Sequence, residues 1–211
     1  MTPRAALERG LEQLAIVLPG EGRDKLIEYT ALLAKWNRTY NLTSIRDPLT
    51  MVSHHLLDSL AVLPHLPLPA NAARLADAAS GAGLPGIPLA LARPQWQIAL
   101  IESNQKKAAF LRQASIELCL ANVEVHAGRV ETWRPARGFA LVISRAFAEL
   151  AAFVDACRPL LAPGGVLAAM KGRSPDAELA RLPAQVTSQV IRLDTPFLEG
   201  ERHLVLCRLA S

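Results

Sequence analysis

The sequence predicts an α/β fold: a doubly wound, mainly parallel sheet with a closing antiparallel hairpin, preceded by a helical extension. Three observations predict it. Short apolar segments alternate with helix-like segments after residue 70, which is typical of βαβ units. The segment GAGLPG at 81–86 follows the first apolar segment with the G-x-G-x-x-G spacing of a nucleotide-binding turn. The last two apolar segments, VTSQVIRLD and HLVLCRL, have no long helix between them and therefore predict an antiparallel pair.

The composition indicates a packed globular chain. It has 211 residues, about half of them apolar, enough for one α/β domain with an elaboration at one end. No apolar run reaches the roughly 18 residues of a membrane-spanning helix. The N-terminal segment, which carries Arg4, Glu8, Arg9 and Glu12, lacks the uninterrupted apolar stretch of a secretory signal. We therefore expect no membrane partner and a cytoplasmic location. The net charge of +4 permits a polyanionic partner but does not demonstrate one.

The cysteines and histidines give no sign of a metal site. Cys119, Cys157 and Cys207 lie far apart within apolar segments, and we expect all three to be buried thiols. No C-x-x-C or Cys/His spacing is present, so a structural zinc is not expected. His54 and Asp58 form an i,i+4 pair, but two ligands are too few to predict a metal.

Residues 1–69 are predicted to be a helical extension packed on a domain formed by residues 70–211. Apolar side chains recur every three or four residues in a first stripe, formed by Leu26, Tyr29, Leu33, Trp36 and Tyr40. Asp47 is expected to cap a second helix that has Pro48 at its first position. That helix carries a second stripe, formed by Leu49, Val52, Leu56, Leu60 and Leu63. Three prolines, at 64, 67 and 69, are expected to end it and form a stiff linker.

After residue 70, strands and helices are expected to alternate. The predicted strands are ARLADAA, WQIALIE, VEVHA, FALVISRAF, GVLAAMKG and the two hairpin segments. NQKKAAFLRQASIELCL is expected to be a helix with an inner face of Phe110, Leu111, Ala114 and Leu118. LAAFVDACRPLLAPGG is expected to be a second helix that ends at its glycines.

The glycine turn is the strongest candidate for a ligand site, because ligands of such sheets bind at the carboxyl ends of the strands. Asp77 ends the first predicted strand, and Gly81 and Gly83 allow the backbone to turn sharply and approach a ligand closely. Glu102 ends the second strand, 19 residues after Gly83, where a carboxylate can accept hydrogen bonds from ribose hydroxyls. The alternative is a tight turn beside an ordinary surface glutamate.

Three cofactors remain open on the turn alone: NAD, FAD and S-adenosylmethionine. An acid closes the strand four residues before the first glycine. A sulfonium favours nearby carboxylates, whereas a pyrophosphate is repelled by them and favours a helix N-terminus. The closing hairpin also suits a methyltransferase sheet better than a second mononucleotide-binding half. These features favour S-adenosylmethionine over NAD.

From about Tyr40 to Arg208, the chain resembles the bacterial small-subunit (16S) ribosomal RNA guanine-N7 methyltransferases, also called glucose-inhibited division protein B. The matching segments are YNLTSI, HHLLDSL, SGAGLPGIPLAL, KKAAFLRQ, GRVE, ISRAFA, MKG and GERHLVL. The resemblance implies a Rossmann-like class I methyltransferase sheet, S-adenosylmethionine as cofactor, and 16S ribosomal RNA of the small subunit as substrate. We expect a monomer.

The resemblance implies a set of cofactor-pocket residues: Asp77, Ala79, Gly81, Gly83, Leu84, Glu102, Val130, Glu131 and Arg145. One position departs from the family pattern, because a glycine usually stands where this sequence has Ala79. Either the methyl group crowds the methionine end of the cofactor, or the backbone does not need a positive φ there. Ordinary core packing is an equally good interpretation of Val130.

Several polar residues are candidates for contact with the RNA. Arg145 ends an apolar strand, and we expect it to orient the cofactor or the target base as the catalytic residue; a surface arginine is the alternative. Arg129 and Lys171 also stand at strand ends and are candidates for phosphate contacts. Asn41 and His54 are predicted to contribute to an RNA-facing wall. The alternative for His54, His55 and Asp58 is a hydrogen-bonded anchor between the helix and the sheet.

The predicted reaction needs little from side chains, because guanine N7 has a lone pair and no proton to lose. Catalysis would come from positioning the reactants and from hydrogen bonds that hold the base. Two rivals remain at this stage: an NAD-binding oxidoreductase, and a catalytically inactive, ribosome-associated RNA-binding protein.

Overall fold

A seven-stranded sheet organises the chain. The computed structural model describes residues 1–145 and 147–210, so Ala146 of the ISRAFA segment and the C-terminal Ser211 lie outside the described residues. The strands are β1 (Arg74–Ala78), β2 (Gln97–Glu102), β3 (Val123–Ala127), β4 (Phe139–Ser144), β5 (Leu161–Lys171), β6 (Val186–Arg192) and β7 (His203–Leu209). They lie in the order β3-β2-β1-β4-β5-β7-β6. The first five strands are parallel, and β7 pairs antiparallel with both β5 and β6. The predicted α/β sheet with a closing hairpin is confirmed.

The helices cover both faces of the sheet. They are α1 (Pro3–Gln13), α2 (Gly22–Tyr40), α3 (Pro48–Met51), α4 (Asp58–Leu60), α5 (Gly86–Ala92), α6 (Gln105–Glu117), α7 (Leu150–Cys157) and α8 (Asp176–Leu179). The inner face of α6 is buried as predicted. The predicted helix through the segment APGG is wrong, because α7 ends at Cys157. A single 3-10 turn, Arg158–Leu160, follows and leads directly into β5. Pro159 lacks the N–H that an α-helix would need there.

The helix predicted to begin after Asp47 is not one regular helix. Asp47 caps it as predicted, since its Oδ2 accepts a hydrogen bond of 2.7 Å from the Thr50 N–H. After α3, the chain widens into a π-helix over Val52–Leu57 and returns to α-helical winding in α4. The other stripe residues of this helix are buried, but Leu49 is 37% exposed. The prediction is therefore wrong for Leu49, which borders a surface depression next to the exposed side chain of Phe197.

The hydrophobic core lies on both faces of the sheet. Alternate residues of each strand point to opposite faces, so that Leu75 belongs to one cluster and Ala76 to the other. The Leu75 cluster also contains residues of the N-terminal helices, including Leu26 and Leu57. These helices therefore share a core with the sheet. The division into units 1–69 and 70–211 stays a prediction.

The first stripe of the extension is buried at its centre and exposed at its end. Leu26, Tyr29 and Leu33 are fully buried, whereas Trp36 is half-buried and Tyr40 is 40% exposed.

Within the described residues, no helix combines the length and apolar character needed to cross a membrane.

Two of the three cysteines are buried as expected. Burial raises the pKa of Cys157 to about 12 and that of Cys207 to about 11, which keeps both thiols protonated. The expectation is wrong for Cys119, which is exposed. It adopts a φ of +52° just after α6, where the chain turns away from the core. Across the described parts of the chain, no three His, Cys, Asp or Glu side chains cluster in a way that suits a metal ion.

Candidate active site

The turn between β1 and α5 is held by two carboxylates from neighbouring strand ends. The Oδ2 atom of Asp77 accepts a hydrogen bond from the Gly86 N–H at 2.9 Å. The Oε2 atom of Glu102 accepts from the Gly81 N–H at 2.8 Å, and its Oε1 atom accepts from the Asn104 N–H at the same distance. Glu102 is 6% exposed, so it is not the ordinary surface glutamate of the alternative interpretation.

Asp77 is an unusual buried acid. It is fully buried, and burial raises its pKa to about 7, against the opposing effects of the Gly86 hydrogen bond and the nearby charge of Arg145. Its Oδ1 atom has no hydrogen-bond partner within the described residues. A buried, unpaired carboxylate oxygen favours a cation or a hydrogen-bond donor beside it.

The two turn glycines are needed for different reasons. Gly81 has a φ of +60°, and a Cβ built on it would meet nothing closer than the Ala79 carbonyl oxygen at 4.0 Å. Gly83 has a φ of +88°, and a Cβ on it would lie 2.5 Å from Cδ1 of Ile87. Gly83 therefore serves packing as well as backbone conformation, whereas Gly81 borders open space that a ligand can approach.

The backbone conformation of Ala79 is the one for which glycine is usually needed. Its φ is +57°, so the backbone does adopt the left-handed conformation here. The suggestion that this position needs no positive φ is therefore wrong. The residue is exposed, and its methyl group stands on the open side of the turn. A left-handed conformation costs an L-residue about 1–2 kcal/mol relative to glycine.

The other predicted cofactor residues lie in two environments. Leu84 and Val130 are buried in the cores on opposite faces of the sheet, which agrees with the packing interpretation of Val130. Glu131 and Arg129 are exposed. The Gly128 N–H donates to the Glu102 carbonyl at 3.0 Å, so the segment that follows β3 begins beside the end of β2. The predicted cofactor contacts of Leu84, Val130 and Glu131, and the predicted phosphate contact of Arg129, stay predictions.

A residue of the N-terminal extension reaches the turn. The hydroxyl of Tyr29, in α2, donates a hydrogen bond of 2.7 Å to the carbonyl oxygen of Ala82. Tyr29 is fully buried, and burial raises the pKa of its hydroxyl above the ordinary range. Sequence reasoning assigned Tyr29 only to the apolar stripe. The missed signal is that a buried tyrosine hydroxyl needs a polar partner.

Arg145 belongs to a cluster of three charged side chains. Its Nη1 atom donates to Oδ2 of Asp58 at 3.2 Å and to the carbonyl oxygen of His54 at 3.1 Å. The other oxygen of Asp58 accepts from Nε of Arg202 at 3.1 Å. Asp58 is 3% exposed, so this carboxylate is a buried link between the extension, β4 and the loop before β7. Sequence reasoning missed Arg202, whereas a hydrogen-bonded anchor between the helix and the sheet was its alternative interpretation of Asp58.

The charged cluster lines a cleft of about 290 Å³. His55 and His203 also line it, and each has a buried Nδ1 atom without a hydrogen-bond partner among the described residues. Burial, together with the charge of Arg145, lowers the pKa of His55 to about 4, so this ring is neutral at neutral pH. Arg145 remains 28% exposed in its side chain.

The segment containing Asn41 is anchored to the helices. Asn41 adopts a φ of +49° as the C-cap of α2, a position that favours asparagine. The hydroxyl of Thr43 forms a hydrogen bond of 2.9 Å with Nε2 of His55. The backbone N–H of Thr43 donates to the side-chain oxygen of Asn37. His54 is half-buried, and its Nδ1 atom lies 2.8 Å from the Ser53 hydroxyl. An RNA-facing role for Asn41 and His54 stays a prediction beside these anchoring contacts.

The contacts of Lys171 support a structural role for this residue, and its predicted phosphate contact stays a prediction. Its Nζ atom donates to the carbonyl oxygens of Phe147 and Ala148 at 3.0 and 2.8 Å, and to Oε2 of Glu178 at 2.7 Å. An ammonium group has three donors, so all of them are committed within the protein. Lys171 is 9% exposed. It holds the carbonyl groups of Phe147 and Ala148 and borders the same cleft as Arg145.

Comparison with known proteins identifies the family. A family model described as rRNA small subunit methyltransferase G (GidB) matches residues 23–205. The chain belongs to this family. The ribosomal RNA small subunit methyltransferase G of Burkholderia thailandensis is 51% identical over 97% of this chain and 90% of that protein. The protein of the same description from Nitrosospira multiformis is 48% identical over the full length of both.

Solved structures agree on the fold. The O-methyltransferase TomG from Streptomyces achromogenes, in complex with SAM, has a TM-score of 0.61 and 18% identity, with full coverage of both chains. The DhpI–SAH complex has a TM-score of 0.57 and 19% identity over 90% of this chain and 98% of that one. Membership of the methyltransferase G family confirms that the chain is a methyltransferase with S-adenosylmethionine as cofactor. The dehydrogenase alternative is not favoured.

Replacing Ala79 with glycine should stabilise the protein. The change relieves a left-handed alanine, and part of the gain is offset by the greater freedom of glycine in the unfolded chain. We expect the free energy of unfolding to rise by about 1 kcal/mol in urea denaturation. Ala31→Gly, on an exposed position inside α2, is the control and should lower it by about the same amount. Equal losses in both variants would contradict the argument.

Asp77 should make stability depend on pH. Its pKa rises on folding from the ordinary 3.8 to about 7, so between these values the folded state binds more protons than the unfolded state. The free energy of unfolding should therefore fall as the pH rises through this window. Asp77→Asn removes the titration. In urea unfolding at several pH values between about 4 and 7, wild type should lose stability relative to Asp77→Asn. Parallel curves would mean that Asp77 titrates normally.

Proposed function

We propose that this protein transfers a methyl group from S-adenosylmethionine to N7 of a guanine in 16S ribosomal RNA of the small subunit. The observation that carries the proposal is a glycine turn held by two strand-end carboxylates, beside a cleft lined by Arg145. Membership of the rRNA small subunit methyltransferase G family supports the substrate class. The choice of guanine N7 rests on the sequence resemblance.

The residues of the turn fit a sulfonium-bearing nucleoside. Glu102 uses one lone pair on each oxygen for a backbone N–H, which leaves acceptor capacity for ribose hydroxyls. Asp77 offers an unpartnered carboxylate oxygen, and the open space at Gly81 admits a ligand close to the backbone. S-adenosylmethionine, when bound, supplies an electrophilic methyl group on a cationic sulfur. Ala79, Leu84, Val130 and Glu131 complete the proposed pocket.

The chain's own contribution to the reaction is positioning. Asp58 and the His54 carbonyl hold Arg145 through a single nitrogen, Nη1. The contacts seen within the described residues leave its other N–H groups for a guanine edge, and arginine commonly donates to guanine O6. No group has to remove a proton from N7, and the neutral His55 nearby is not required as a base. Holding the base at near-attack distance supplies the rate.

The remaining partner assignments are proposals of the same kind. Arg129 is exposed beside the third strand end and suits a phosphate contact, while Asn41 and His54 border the RNA-facing side. A cytoplasmic monomer agrees with a substrate that is part of the small ribosomal subunit.

A single comparison tests the proposed function. Mass mapping of 16S ribosomal RNA, incubated with the protein and S-adenosylmethionine, should show one added methyl group on one guanine. Cofactor binding without methylation would support the inactive RNA-binding alternative. Binding of NAD in place of S-adenosylmethionine would support an oxidoreductase.

Glu102→Ala should weaken binding of S-adenosylmethionine at least tenfold. It removes the proposed acceptor of the ribose hydroxyls and also frees the Gly81 N–H, and hydrogen bonds to a charged group contribute about 1.5–3 kcal/mol each. Glu102→Gln should weaken binding as well, because an amide has only one oxygen to satisfy two backbone donors. Isothermal calorimetry measures both variants against Glu117→Ala, an exposed glutamate of α6. Wild-type affinity in both would show that the turn holds its ligand by other groups.

Arg145→Ala should lower single-turnover methyl transfer by about 10²-fold, the scale of a misplaced reactant. The variant also leaves the buried Asp58 with Arg202 as its one remaining cationic partner among the described residues, so stability should fall too. The double variant with Asp58→Asn separates the two effects, since it removes the uncompensated charge. Its melting temperature should recover and its transfer rate should not. Recovery of both would make Arg145 a structural residue.

Arg129→Ala should reduce the slope of log RNA affinity against log salt by about one unit, because one phosphate contact is lost. Lys171→Ala should leave that slope unchanged and lower the melting temperature, because its ammonium is internal. Filter binding at several salt concentrations measures the slopes. A reduced slope for Lys171→Ala with an unchanged melting temperature would support the predicted phosphate contact of this residue.

A further inference from the structure

The N-terminal extension contributes a direct contact to the cofactor turn. Tyr29 lies in the middle of α2, and its hydroxyl donates to the Ala82 carbonyl across 53 positions of sequence. The contact is inside the protein, since Tyr29 is fully buried and Ala82 is 5% exposed. A carbonyl in that environment is stabilised by a donor and is costly without one.

Ala82 is the one residue between the two turn glycines. Gly81 and Gly83 both have positive φ angles, and their N–H groups are held by Glu102 and by the Ser80 carbonyl. These bonds fix the two ends of the tripeptide. The carbonyl of its central residue is held by Tyr29. The extension therefore limits rotation of the peptide plane between Ala82 and Gly83, whose N–H is held from the other end by the Ser80 carbonyl.

The position of the hydroxyl is set by packing that does not depend on the hydrogen bond. The ring of Tyr29 lies 6.4 Å from the ring of Phe110, centroid to centroid. Phe110 is fully buried in α6, the helix that begins just after Glu102. The phenol therefore approaches Ala82 from a buried support that also contacts the helix beginning just after Glu102.

We propose that Tyr29 is a positioning residue that holds the turn in its cofactor-binding conformation, so that the helical extension is part of the S-adenosylmethionine site. The inference rests on the proposed function for the identity of the ligand. A turn that is already ordered loses less conformational freedom when a ligand binds, which increases affinity. Tyr29 makes no contact with the cofactor in this scheme and acts through the Ala82 carbonyl.

Tyr29→Phe is the informative substitution because it removes the hydroxyl and keeps the ring. Thr30→Val is the matched control: it deletes a neighbouring buried hydroxyl, whose hydrogen bond of 2.7 Å goes to the Ile27 carbonyl within α2. Calorimetry should show S-adenosylmethionine binding about threefold to tenfold weaker in Tyr29→Phe, the range expected for one hydrogen bond. Thr30→Val should bind as wild type does.

Amide hydrogen exchange on the protein without cofactor gives a second readout. The Gly81 and Gly83 amides should exchange faster in Tyr29→Phe than in Thr30→Val. Unchanged cofactor affinity and exchange in Tyr29→Phe would overturn the inference, and so would equal changes in both variants, which would reflect general loosening of α2. If wild type fails to bind S-adenosylmethionine, the proposed function fails, while the exchange rates still decide whether Tyr29 orders the turn.

Discussion

Two buried carboxylates determine the shape of the site, because each holds a backbone N–H of the turn between β1 and α5. Removing a carboxylate from water is costly unless hydrogen bonds replace the lost hydration. Glu102 meets that requirement with the Gly81 and Asn104 N–H groups, and Asp77 meets half of it with Gly86. Gly86 follows from this constraint. A Cβ on Gly86 would lie 2.8 Å from the Asp77 oxygen, so a side chain there would displace the bond that holds the turn.

The N-terminal helices complete the site as well as the core. Tyr29 holds the middle of the turn, and Asp58 joins two arginines that arrive from β4 and from the loop before β7. Buried ion pairs add little net stability, because desolvation offsets most of their attraction. The Asp58 cluster is better explained by orientation: it holds Arg145 by one nitrogen beside the cleft, on a frame shared by three separate segments of chain.

Sequence reasoning was most reliable where a feature is encoded locally. The strands, the Asp47 cap and the strand-end position of Glu102 all follow from short-range patterns, and the structure confirms them. Sequence reasoning failed where the partner that determines a side chain's role lies far away in the sequence. Arg202 lies 144 positions from Asp58, and the partners of Lys171 could not be known without the path of the chain after β4. The π-helix was missed because apolar spacing does not distinguish it from an α-helix.

The charge of Arg145 acts on titratable side chains on both the turn side and the cleft side of this residue. Burial favours the protonated form of Asp77 and the neutral form of His55, and Arg145 lowers both pKa values. A cation beside the open oxygen of Asp77 would favour its ionised form, and it would add a second negative charge to a turn that already holds Glu102. On the other side, Asp58 is shared by two guanidinium groups, which leaves a net positive charge facing the cleft. Arg145 therefore belongs to the cationic lining of the cleft and still acts electrostatically on the buried acid of the turn.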